Sequence, residues 1–268
     1  MSIIGDIWEL IVLQPLTNIM VVLAHFLFNN FGLSIIILTI LINVAMYPLT
    51  LRQMKSSKAM QDLQPKIAEI QRKHGKDKAV MQQETMKLYR ESGVNPAGCL
   101  TSMFLPMPIW IALYQTIRRV MALTPESFLG LSTVLYSWAV PFVAIPINNK
   151  FLWLNLGTPD AFLAVLVGLS LWLQQKMVAQ KGATPQAAQQ AQMMQVMMPV
   201  LFAFFSFTVP SGLALYWVVN SVIRIVIQYF FSGWGGLAAL PQTLKTFWPL
   251  SENSMWRRPR QQTQGRKK

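Results

Sequence analysis

Few side chains in this 268-residue chain are equipped for chemistry, and most of those are basic or amide groups. The single cysteine, Cys99, excludes an internal disulfide and any multi-thiolate metal site. His25 lies in an apolar stretch and His74 in a basic loop, too far apart to suggest a shared metal or a catalytic base. No nucleophile–base pair or metal cluster is visible, so the expectation is no enzyme, no metal and no cofactor. The notable cation is Arg224, set in an otherwise apolar run with Asn220 and Gln228 four residues to either side on one helical face. A charge at membrane depth is costly and points to function. Snorkelling to the inner headgroups is the competing account of Arg224.

The remaining polar groups fall at a similar level once the elements that carry them are drawn. The chain is 53% hydrophobic and 12% charged, with a mean hydropathy of +0.38. Soluble domains carry about 25% charged residues, so much of this apolar surface belongs in lipid. A membrane-spanning helix needs about 20 mostly apolar residues. Five segments qualify: 31–50, 99–118, 162–178, 192–209 and 211–231, and none contains Asp or Glu. Pro210-Ser211-Gly212 separates the last two as a tight turn. Arg224 then stands about 20 Å along the fifth span from Ser211, at 1.5 Å per residue. Asn43 on the first span reaches nearly the same depth, and Gln174 and Gln175 approach it from the third. Gln115 and Thr116 on the second span are expected near the same wet cavity. Asn43 serves equally well as an interhelical hydrogen-bond partner. Met193, Met194, Met197 and Met198 read either as plain packing or as an adaptable surface for varied apolar sequences.

Residues 1–30 contain Asp6 and Glu9 and no Lys or Arg, so no basic leader region is expected. With Ser at position 2, myristoylation is not expected either. The stretch 3–28 is expected to lie in the outer interface, with a sixth span as the alternative. Loop 51–98 carries ten Lys and Arg residues, and the tail beyond 231 carries seven. The opposite face has only Arg118, Arg119 and Lys150. By the positive-inside rule the N-terminus is outside and the C-terminus cytoplasmic. Making 128–147 a span would move the basic tail outside, so 119–161 is expected as an outer loop.

Residues 51–98 read as two helices joined at His74-Gly75. Leu63, Ile67 and Ile70 recur at helical spacing, and Ala79, Met86 and Tyr89 are expected to face them. Ten basic residues against five acidic leave this hairpin at +5. Arg52, Lys55, Lys58, Lys66, Arg72 and Lys73 are expected to dock a cytosolic partner or anionic lipid headgroups. The tail, 232–268, ends in a polar basic run with Arg257, Arg258, Arg260, Arg266, Lys267 and Lys268, suited to phosphate backbones.

Several motifs occur in an order that resembles the YidC-type membrane protein insertases and their mitochondrial Oxa and chloroplast Albino relatives. They are Met46-Tyr47-Pro48-Leu49-Thr50, Leu63-Gln64-Pro65-Lys66, Val94-Asn95-Pro96 with Gly98-Cys99, and Met107-Pro108-Ile109 with Ala112-Leu113-Tyr114. Phe151-Leu152-Trp153-Leu154, Gln175-Lys176-Met177, Met198-Pro199-Val200, Pro210-Ser211-Gly212-Leu213 and Leu215-Tyr216-Trp217 complete the series. The resemblance covers about 30–231 and implies an all-α membrane protein. Five core helices would surround a hydrophilic groove open to cytoplasm and lipid but closed outside.

It implies an insertase and chaperone that slides nascent transmembrane segments into the bilayer without a cofactor. Its partners would be nascent membrane proteins, the ribosome through the basic tail, a Sec translocon and anionic lipids. The groove set is then Asn43, Gln174, Gln175, Trp217, Asn220, Arg224 and Gln228. A small-solute channel or transporter is the alternative. The chain departs from the family pattern where Asn43 takes the place of the usual groove arginine and Arg224 that of a small hydroxyl residue. Matching depth suggests that the charge has moved from the first helix to the fifth. Pro106 also stands where the family has Gln.

Overall fold

The computed structural model describes residues 3–74, 77–94, 107–121, 131, 134–139, 148–178 and 185–234. It is predominantly helical. In chain order the elements are α1 (Ile3–Trp8), a π-helical segment (Glu9–Leu13), α2 (Gln14–Phe26), α3 (Phe31–Ala45), α4 (Tyr47–His74) and α5 (Lys78–Glu91). Then follow α6 (Met107–Val120), the two-residue strands β1 (Lys150–Phe151) and β2 (Leu154–Asn155), α7 (Ala161–Val178), α8 (Pro185–Ser206) and α9 (Ser211–Ser232).

Among the described residues, Gly5–Phe26, Ala161–Val178 and Ser211–Ser232 are long and apolar enough to cross a membrane. Phe31–Ala45 with Tyr47–His74 makes a fourth candidate bent by 62°, and Ala191–Ser206 is a shorter apolar helix. Residues 99–106, expected to begin the second span, lie outside the described residues, as do the tail cations, Cys99 and Pro106.

The bend at Met46 comes four residues before the expected end of the first span, so 47–50 begin the first arm of the hairpin. Pro48 explains the position: proline disfavours α geometry in the residue before it and is tolerated in the first turn of a helix. A second proline, Pro15, has a similar local effect. In a continuous α-helix its ring would crowd the carbonyl four residues earlier, and here a π segment precedes it, with Gln14 N–H donating to Glu9 O.

The end of the bundle where α9 begins is a close-packed core. Phe31, Ile35, Ile117, Leu156 and Leu213 are fully buried. Gly212 sits where these elements converge: a Cβ there would lie 3.2 Å from both Ile117 Cδ1 and Ile35 Cδ1. The segment after β2 caps α9. Ser211 N–H donates to Thr158 O at 2.9 Å, Gly212 N–H to Leu156 O at 3.0 Å and Ser211 Oγ–H to Asn155 O at 2.7 Å. The amides otherwise orphaned at a helix start are thereby satisfied. The β-hairpin is seated on α3 because Gly32 has no side chain; a Cβ there would overlap the Phe151 ring.

Three side-chain contacts join the N-terminal helix to α6. Trp8 Nε1–H donates to Gln115 Oε1 at 3.0 Å, Arg119 pairs with Glu9 at 2.8 Å, and the Thr17 and Thr116 hydroxyls lie 3.1 Å apart. Gln115 and Thr116 are thus engaged with the N-terminal helix, not with the Asn43 level where they were expected.

Candidate functional site

The polar residues beyond that core assemble along the line where α3 meets α9. Asn43, 8% exposed, donates through Nδ2 to Thr39 O at 2.9 Å and to Asn220 Oδ1 at 3.0 Å. Thr39 satisfies its own hydroxyl on Ile35 O at 2.6 Å, and Ser221 is buried beside Asn220 in sequence. This seam forms because the buried face of α3 changes character along its length. It runs from Phe31, Ile35 and Leu38 to Thr39 and Asn43. The opposing face of α9 changes at the same level, from the buried stretch Ser211–Trp217 to Asn220.

Arg224 follows Asn220 by one helical turn, about 6 Å farther along α9. It is half-buried, and it has no hydrogen-bond or ion-pair partner among the described residues. Gln228, one turn beyond, donates through Nε2 to Ser232 Oγ at 2.8 Å. On α7, which packs against both α8 and α9, Gln174 and Gln175 are half-buried. The Gln174 Oε1 atom is enclosed and has no hydrogen-bond partner among the described residues. Asn43 and Asn220 are therefore in contact, Arg224 extends their line toward the end of α9, and Gln174 offers an acceptor without a partner among the described residues.

Trp217 belongs to a different environment. It is 6% exposed and packed in an aromatic cluster, with ring centroids 5.2 Å from Phe202, 6.1 Å from Phe205 and 6.3 Å from Trp110. Its role here is to join α6, α8 and α9. Asn18 escaped the sequence reading as a positioning residue. Fully buried, it donates to Gln14 O at 2.7 Å and Val134 O at 3.0 Å, and accepts from Tyr136 N–H at 2.9 Å. The available signal was an amide within an apolar helix, but two of its partners, Val134 and Tyr136, are more than 100 residues away.

Arg52, Lys55, Lys58, Lys66, Arg72 and Lys73 of the basic arm are all exposed, while Leu63 and Ile67 of the same helix are buried. Lys73 pairs with Glu69 at 2.7 Å. The hydrogen bond from Lys73, with its charge, holds the Glu69 carboxyl below its ordinary range, and Glu69 raises Lys73 in return. Ala79 and Met86 turn outward, contrary to expectation, and Val80, Leu88 and Tyr89 are half-buried. Asp77 accounts for this register: its carboxylate accepts from Ala79 N–H and Val80 N–H and starts α5 at Lys78. Gln61 Nε2 reaches Val178 O at 3.5 Å, placing α4 beside the end of α7.

Residues 22–234 match the model of the 60Kd inner membrane protein family. The membrane protein insertase YidC of Oceanobacillus iheyensis is 37% identical over 228 residues, covering 82% of this chain and 81% of that protein. The membrane protein insertase YidC of Fusobacterium nucleatum is 39% identical over 204 residues, covering 75% and 86%. The membrane protein insertase MisCA of Bacillus subtilis is 34% identical over 233 residues, covering 84% and 79%. A crystal structure of an active YidC insertase, with its first transmembrane domain resolved, superposes with a TM-score of 0.54 at 25% identity. The match covers 85% of this chain and 47% of that longer one. With the motif order and the helical bundle in agreement, the chain belongs to the 60Kd inner membrane protein family, among the YidC-type insertases.

Proposed function

We propose that the chain is a membrane protein insertase and chaperone whose polar seam receives the hydrophilic flank of a nascent transmembrane segment from the cytoplasm. The observation that carries this reading is the Asn43–Asn220 hydrogen bond with Arg224 one turn farther in and without a hydrogen-bond or ion-pair partner among the described residues. A polar flank crossing lipid loses its water, and each unsatisfied group costs several kcal/mol. Amide and guanidinium groups partway across shorten the apolar distance to be traversed. The closed apolar packing around Gly212 stops the path on the outside, so the segment leaves sideways into lipid.

In this reading Asn43, Gln174, Gln175, Asn220, Arg224 and Gln228 line the groove and Trp217 supports its wall. The charge is carried by Arg224 on the fifth span in place of Asn43 on the first. No catalysis or cofactor is required, because partition of the substrate into lipid supplies the driving force. The N-terminal helix lies along the outer interface. The exposed cations of α4 meet a cytosolic partner or anionic headgroups, and the tail cations Arg257, Arg258, Arg260, Arg266, Lys267 and Lys268 meet the ribosome. The C-terminus is cytoplasmic and the N-terminus outside.

Reconstitution tests the reading. Proteoliposomes holding only this chain are expected to integrate a short-tailed membrane protein made by a purified translation system. They are also expected to retain a small entrapped dye. Dye efflux without integration would replace an insertase with a channel.

A further inference from the structure

Two residues on the outer side combine features that water does not favour. Leu152 (φ +55°) is 75% exposed and Phe28 (φ +59°) is 91% exposed. A left-handed backbone at an exposed turn normally selects Gly, Asn or Asp, whose side chains tolerate it and suit water. Here both positions carry large apolar groups. Trp153, beside Leu152 at the tip between β1 and β2, is 60% exposed. The two segments share one end of the bundle, tied by the Asn30–Asn148 bridge and by Phe151 seated on Gly32.

The level of this patch is fixed by a contact. The Trp153 ring meets Phe162 edge-on, with centroids 5.6 Å apart, and Phe162 is in the first turn of α7. From Phe162 the exposed face continues down the same helix through Val165 and Leu169, at 53% and 57% exposure. The tip is thus continuous with the lipid-facing stripe of a candidate span, at the end where that span begins.

We infer that Phe28 and the Leu152–Trp153 tip form a wedge that enters the outer leaflet of the phospholipid bilayer, at the boundary between headgroups and acyl chains. Trp is favoured at that depth, and an apolar Leu or Phe there no longer faces water. The stiff seating of the hairpin on Gly32 holds the wedge without side-chain ordering at the moment of contact. The inference adds an outer lipid contact to the proposed function and does not depend on the seam.

The full-length Cys99→Ser protein carrying Leu152→Cys, labelled with bimane, tests it in vesicles of phosphatidylethanolamine and phosphatidylglycerol. Phe28→Cys serves as a second site and exposed Lys87→Cys as an aqueous control. Expected at positions 152 and 28 are blue-shifted emission, quenching by a nitroxide high on the acyl chain, and less quenching by iodide on both membrane faces than at position 87. Iodide quenching equal to the control would overturn the inference. So would a blue shift found in native membranes but absent in pure lipid, which would point to a protein partner. Dye retention and insertion by the same vesicles report separately on the proposed function.

Discussion

Replacing Arg224 with alanine is expected to slow insertion selectively, according to the charge of the substrate's flank. Arg224 lies 13 residues after Ser211, about 20 Å from the start of α9, against a hydrocarbon layer about 30 Å thick. It is half-buried and has no ion-pair partner among the described residues, so a passing carboxylate would supply one. A hydrogen bond to a charged group contributes about 1.5–3 kcal/mol, and Coulomb attraction at 4 Å reaches about 4 kcal/mol at an effective dielectric of 20. Taking the smaller range, and about 1.4 kcal/mol per factor of ten, the loss is about 12- to 150-fold for a flank with an acidic residue.

A neutral flank should lose far less. Arg224→Lys should retain an intermediate rate, because the charge survives but the planar donor fork does not. Asn43→Ala should be mild, and Asn43→Arg should restore Arg224→Ala, since the two positions adjoin through Asn220. Protease protection of translated substrates in proteoliposomes, matched for protein content and differing only in flank charge, provides the rates. Equal slowing of acidic and neutral flanks would assign Arg224 a structural role. Normal insertion by Arg224→Ala would refute the relocated-charge reasoning altogether.

Gly32→Ala should lower the melting temperature in detergent, because its methyl overlaps the Phe151 ring; adding Phe151→Ala should recover most of the loss, read by scanning fluorimetry. Lys73→Ala should move the Glu69 titration midpoint upward by carboxyl NMR, because Lys73 holds that carboxyl down. The sign implies that any stabilisation from the pair is present above the unfolded glutamate range and is lost as pH falls through the lowered value; salt should suppress it. Deleting 251–268 should abolish ribosome co-sedimentation at fixed salt and leave reconstituted insertion of a completed substrate unchanged.

The helices after Pro185, the tight turn at Pro210–Gly212 and the basic arm were legible from local signals: apolar run length, turn residues and charge. Such features depend on neighbours within a few residues. So does the family, because its motifs are short words in a fixed order. Even the bend at Met46 has a local cause in Pro48, although the expected boundary fell four residues late.

The seam was only half legible. Matching depth suggested Asn43 and Arg224 together, whereas Asn43 meets Asn220, one turn before Arg224; a depth match cannot say which faces of α3 and α9 meet. That depends on packing throughout the end where α9 begins, where Gly212 lets Ile35 and Ile117 approach and thereby orients both helices. The same packing turned Trp217 into an aromatic brace and drew Gln115 and Thr116 to the N-terminal helix. By itself the sequence determined that Arg224 must be accommodated in an apolar span, because one unpaired charge in lipid is costly wherever it points. Only the tertiary structure decided its company: contacts between residues 177 positions apart follow from how helices pack, and no local pattern encodes that distance.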